Sequence, residues 1–135
     1  MKTPQEILHT MMQNDSFSQW LQIEVVEIGL GFCTLKTKIN KEMLNGFSIA
    51  HGGISYSLAD SALAFSANSR GNKCVSIETS ISHLKKVFEG DELTASCVEI
   101  NRTNSIGLYR VELKNHHNQL VAIFNGTVFI STKTW

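Results

Sequence analysis

The stretch from Gly52 to Ser69, GGISYSLADSALAFSANS, constrains the fold more than any other part of the chain. Ile54, Leu58, Ala62 and Phe65 recur at helical spacing along one face, and Tyr56, Leu63 and Ala67 along another. Alanine and serine fill the remaining positions. A helix that is apolar on most sides has to be enclosed by the rest of its protein. Gly71 follows in the place where a helix ordinarily ends.

The segments around it supply the enclosure. Pro4 reads as the first residue of an N-terminal helix, with Thr3 as its cap and Glu6 in the first turn. Ile7, Leu8, Met11 and Met12 form that helix's stripe, and a short helical turn follows from Phe17 to Leu21. A strand over 23–28, a turn at Gly29-Leu30-Gly31 and a second strand come next. In the second strand Cys33, Leu35, Thr37 and Ile39 alternate with polar neighbours. A loop over 40–50 carries Asn45-Gly46. After the central helix, Val75, Ile77, Thr79 and Ile81 alternate with Ser76, Glu78, Ser80 and Ser82. Further strands are expected at 93–100, 106–113 and 120–130, separated by turns at Gly90-Asp91, Asn101–Ser105 and His116-His117-Asn118. Long neighbouring strands joined by short turns assemble antiparallel. The order predicts an α+β domain spanning residues 1–135: an antiparallel sheet of five to six strands wrapped around one long central helix, with an N-terminal helix.

Composition narrows the function. The 12 basic and 12 acidic residues cancel, so no basic face for nucleic acid is expected. No apolar run reaches the ~18 residues of a membrane span. The N-terminus carries Glu6 and Asp15 and lacks the apolar core of a signal peptide. Cys33, Cys74 and Cys97 are odd in number, lack a Cys-x-x-Cys pair, and read as free thiols of a cytoplasmic protein.

Asp60 is the one formal charge between Glu42 and Arg70, in the middle of the most apolar helix. An unpaired carboxylate is costly to bury. Two readings explain it: a structural bond, with Ser57 as one candidate partner, or a partly desolvated base or nucleophile. His51-Gly52-Gly53 opens the same helix. Its free N–H groups and dipole suit an anion, or a carbonyl oxygen that becomes one. Eight residues of helix separate Gly52 from Asp60, about 12 Å of axis. Attack needs reacting atoms within about 3.5 Å. If both features serve one carbonyl, they therefore come from two subunits, and a homodimer with shared sites is expected.

The segment LNGFSIAHGGISYSLADSALAFSANSRG closely resembles the core of the phenylacetic-acid-degradation (PaaI-like) type of hotdog thioesterase. Asn45, His51, Gly52, Gly53, Leu58, Ala59 and Asp60 carry the pattern. Gln13-Asn14-Asp15 upstream and Glu89-Gly90-Asp91 downstream extend it over most of the chain. The resemblance implies a hotdog fold, dimers paired into homotetramers, and hydrolysis of aryl-acetyl or short to medium acyl-CoA. No metal or organic cofactor is implied, since coenzyme A is part of the substrate. It implies Asp60 as base or nucleophile, the Gly52 N–H polarising the carbonyl, and Asn45 and His51 shaping the catalytic site. Gly53, Asn14 and Ser76 fall at substrate-side positions. Relatives often carry an Asp or Asn followed by Arg-Pro after the helix; here the run is Ser82-His83-Leu84-Lys85-Lys86. Lys85 and Lys86 are then the candidates for the CoA phosphates. A hydratase or dehydratase of the same fold, and a non-catalytic acyl-CoA-binding module, are the alternatives.

Other conspicuous residues have plainer readings. His116-His117 falls in a turn with no ligand cluster. His9 and His83 sit in no supporting pattern. Trp20, Phe65, Phe124 and Phe129 read as core or interface.

Overall fold

A computed structural model describes residues 1–135. The chain opens with helix α1 (Pro4–Gln13), started by a capping box in which Thr3 accepts from the Glu6 N–H and Glu6 from the Thr3 N–H. Helix α2 (Ser16–Trp20) follows, then strands β1 (Glu24–Gly29) and β2 (Phe32–Lys38). A short 3-10 turn at Lys41–Met43 leads to the central helix α3 (Gly52–Asn68). Strands β3 (Asn72–His83), β4 (Glu92–Arg102), β5 (Ile106–Lys114) and β6 (Leu120–Thr134) complete the chain. Gly71, at φ +100°, makes the left-handed turn after α3 that the sequence places there.

All six strands form one antiparallel sheet in the order β1-β2-β4-β5-β6-β3. The sheet curls around α3, which buries Leu58, Ala59, Ala62, Leu63, Phe65 and Ala67 almost completely. Each large side chain enclosed in this way contributes about 1.5–3 kcal/mol of hydrophobic stabilisation. One row across the concave face runs Cys33, Cys97, Val111, Phe124 and Ile81 in register. Gly126 on β6 lets the helix approach: a Cβ there would lie 2.5 Å from Leu63 Cδ2. At the far end of α3, Glu99 accepts from Arg70 Nε and from the Tyr109 hydroxyl, both at 2.9 Å.

The alternation of β3 does not run unbroken: Val75 and Ile77 face outward and are 64% and 57% exposed. A bulge between Ser76 and Glu78 slips the register of β3 against β6, so Thr79 and Ile81 lie on the concave side while Val75 pairs with the outward Phe129. As an edge strand, β3 has β6 on one side only and no neighbour in the chain on its outer side. The aromatic residues divide: Phe65 and Phe124 are core, whereas Trp20 and Phe129 are nearly half exposed. No helix is long and apolar enough to cross a membrane.

Candidate active site

The start of α3 is built around two close approaches. His51 is the N-cap, and its Nδ1 accepts from the Gly53 N–H at 2.8 Å. The imidazole accepts through Nδ1, so in this arrangement it is neutral, with its proton on Nε2. A Cβ on Gly53 would meet that Nδ1 at 2.9 Å, and a Cβ on Gly52 would meet His83 Nε2 at 3.1 Å. Glycine at both positions lets two imidazoles crowd the helix start. His51 uses the Gly53 donor, and the Ile54 N–H bonds to the His51 carbonyl. The Gly52 N–H is left without an acceptor in the chain. It borders a cavity of about 310 Å³ shared with Asn45, Ser55, His83, Lys85 and Lys86. Neither lysine joins an ion pair within the chain. Asn45 holds its own loop through its side-chain oxygen, which accepts from the Phe47 N–H at 2.9 Å.

Asp60 lies two turns further along and lines neither that cavity nor its rim. Its carboxylate is half-buried and makes no hydrogen bond, so the Ser57 partner considered from the sequence is not found. Burial holds its carboxyl above the usual carboxylate range, and the nearby charge of Asp15 adds to the effect. On one side Asp60 borders an apolar cavity of about 220 Å³ with Leu63, Ala67, Cys74, Ser76 and Val128. On the other it faces a hollow of about 400 Å³ with Asp15, Ser18, Ser57 and Ser61. The bulge in β3 brings Ser76, rather than Val75 or Ile77, level with the inward Val128.

The fold thus sorts the sequence candidates into two groups. Asn45, Gly52, Lys85 and Lys86 share one cavity, and Asp60 and Ser76 share another. His51 borders the first group as a cap. Gly53 has its N–H committed to that cap. Asn14 is exposed at the end of α1, its amide donating to the Thr10 carbonyl at 3.2 Å. Sequence reasoning missed His83 and Asp15. Asp15 showed a local signature, an acid three residues before Ser18, but nothing marked its meeting with a helix 45 residues on. A wider polar hollow of about 430 Å³ on the outer sheet face, lined by Glu92, Thr94, Ser96, Glu112 and His116 among others, contains none of these groups.

A curled antiparallel sheet around one helix, with a desolvated carboxylate in mid-helix and a free N–H at its start, is the hotdog arrangement. The Thioesterase superfamily model matches residues 47–122, and the chain belongs to that superfamily. It is 38% identical to a putative esterase of Archaeoglobus fulgidus, over 88% of this chain and 77% of that protein. It is 35% identical to the Escherichia coli acyl-coenzyme A thioesterase PaaI, over 87% of this chain and 84% of that one. The solved structure of E. coli PaaI, from the phenylacetic acid degradation operon, superposes with a TM-score of 0.95, covering 97% of this chain and 95% of that one at 32% identity. A Streptococcus mutans protein solved bound to acetyl CoA superposes at 0.81, with 26% identity over 84% of this chain and 91% of its own.

Proposed function

We propose that the protein hydrolyses acyl-CoA thioesters as a homodimer in which each site joins the Gly52 N–H of one subunit to Asp60 of the other. The observation that carries this reading is the separation of the two features on one helix, each lining a different cavity. Edge strand β3 supports it. Its outer side is unpaired, and its residues Cys74, Val75 and Ser76 border the Asp60 cavity. A second copy laid along β3 pairs that edge and covers its exposed Val75 and Ile77. A pair of dimers covering outer-face residues such as Val98, Ile100 and Leu108 gives a homotetramer.

The chemistry follows from the charges. The Gly52 N–H and the positive end of α3 stabilise the oxygen of the thioester carbonyl as it gains charge. Asp60 takes a proton from water, the resulting hydroxide adds to the carbonyl carbon, and the C–S bond breaks. In the direct route an Asp60 oxygen adds instead, and water then cleaves the acyl-aspartyl anhydride. In both, CoA leaves as a thiolate, a far better leaving group than an alkoxide, which needs little acid assistance. Isotopically labelled water in a single turnover separates the routes, because only the direct one leaves label in Asp60. The apolar cavity beside Asp60 suits an aryl-acetyl or a short to medium acyl group, which makes phenylacetate degradation a fitting setting. Lys85 and Lys86 offer unpaired charge for the CoA phosphates. Asn45 and His51 hold the loop and cap, while Ser76 borders the cavity beside Asp60. No metal or organic cofactor takes part, and the free thiols suit a cytoplasmic setting.

Release of CoA from an acyl-CoA panel, followed with a thiol reagent, tests the activity. Loss of an enoyl absorbance without CoA release would mean a hydratase, and saturable binding alone a binding module. Asp60→Asn is expected to lower turnover by at least about a hundredfold. Wild-type turnover in that variant refutes the role of Asp60. Mixing Asp60→Ala subunits with Gly52→Pro subunits tests the sharing, since proline is tolerated at a helix's first position but lacks the donor. A shared arrangement restores one intact site per mixed dimer; an unshared one restores none.

A further inference from the structure

Asp60 is not the only carboxylate at its site, and the two are treated in opposite ways. Asp15 caps α2 through one oxygen, accepting from the Ser18 N–H at 2.9 Å. A cap needs no more than that. Yet its other oxygen accepts from the Ser18 hydroxyl at 2.6 Å, and that hydroxyl lies 2.9 Å from the Ser61 hydroxyl on α3. Because Ser18 gives its hydrogen to Asp15, Ser61 gives its own to Ser18. The chain of donors therefore runs away from Asp60, although Ser61 is its immediate neighbour. Asp15 receives two hydrogen bonds, while Asp60, across the same hollow, receives none. When two carboxylates share a site with such unequal solvation, the better-solvated one holds the charge and the other becomes the reactive group.

We propose that Asp15 is a positioning residue for the thioesterase reaction, a clamped negative charge whose field across the shared hollow makes Asp60 a more reactive carboxylate. Within its own subunit, the other groups facing Asp60 leave Asp15 as the one charge available. From β3 come Cys74 and Ser76, and burial pushes the Cys74 thiol up, so that it is uncharged through the acid range. From β6 comes Val128, and from α3 itself Ser57 and Ser61. The like charge of Asp15 acts with burial to hold the Asp60 carboxyl high.

The proposal rests on Asp60 being the reactive group, and the experiment separates the two. Asp15→Asn keeps an oxygen to cap α2 and removes the charge. Asp15→Ser does the same with a different cap and serves where the amide disturbs the turn. The readout is the pH profile of kcat/KM for an acyl-CoA, followed by loss of thioester absorbance. In both variants the acid limb is expected to move to lower pH, with a fall of a few fold at neutral pH as Asp60 becomes a weaker base. Asp15→Glu, which keeps the charge, is expected to leave the limb near its wild-type place. A purely structural cap would change thermal stability without moving the limb. If the limb stays put in both neutral variants while Asp60→Asn is inactive, the role of Asp15 is overturned and that of Asp60 stands. If Asp60→Asn retains turnover, both fall.

Discussion

Asp60→Asn is expected to make the protein more stable as it makes it inactive. The carboxylate is half-buried and without a hydrogen-bond donor, on a helix whose inner faces are fully packed. Holding a charge in that state costs on the order of 1 kcal/mol beyond what a neutral polar group there would cost. Burial, together with the charge of Asp15, holds the folded-state carboxyl above its unfolded value, so the folded protein binds this proton more tightly than the unfolded chain does. Stability is therefore lost as pH rises from the unfolded value, about 3.9 for Asp, through the raised folded one. The cost grows as pH rises above the unfolded value, and below both values none of it is present. Asparagine carries no charge at either pH. The variant should melt about 3–5 °C above the wild type at pH 7, the shift that ~1 kcal/mol makes in a domain of this size. The difference should shrink towards zero near pH 3. Thermal denaturation followed by circular dichroism at the two pH values reads it, and comparing variant with wild type at each pH cancels the other carboxylates. A variant no more stable than wild type at pH 7, or one with the same advantage at both pH values, would refute the claim that Asp60 is held charged against its surroundings. The trade of stability for reactivity is expected where a carboxylate has to react.

Two further substitutions test the geometry around α3. Gly52→Ala puts a methyl group where His83 Nε2 stands 3.1 Å away, so His83 or the helix start has to shift by a few tenths of an ångström. Turnover should fall by about tenfold to a hundredfold with little change in melting temperature, and removing the obstacle in a Gly52→Ala/His83→Ala double variant should recover part of it; a double variant no better than the single one rules His83 out as the obstacle. Gly126→Ala drives a methyl group to 2.5 Å from Leu63 Cδ2 in the core. It should cost about 1–3 kcal/mol in urea unfolding, and an unchanged midpoint would show that α3 has room to move from the sheet.

Much of the architecture was legible because it depends on local periodicity. The apolar helix, the alternation of Cys33, Leu35, Thr37 and Ile39, and the turn at Gly90 all express backbone preferences and burial that a few neighbouring residues reveal. The break in the alternation of β3 was not legible, because its bulge is a property of the β3–β6 pairing, and no pattern within β3 encodes where a partner slips. At the site the motif residues were legible for a similar reason. A lone charge in an apolar helix and a pair of glycines at its start are anomalies against their own neighbours.

What the sequence alone determined is that α3 must be enclosed and that Asp60 needs an explanation. Both follow from the cost of exposing apolar surface and of burying charge, and that cost is a property of composition along a helix. The tertiary structure decided which groups meet those residues. It set His83 against Gly52, aligned Ser76 with Val128 in the wall of the Asp60 cavity, and turned the donors of Ser18 and Ser61 towards Asp15 and away from Asp60. These encounters join residues far apart in the chain, and their energies depend on distances that arise only once the sheet has closed around the helix.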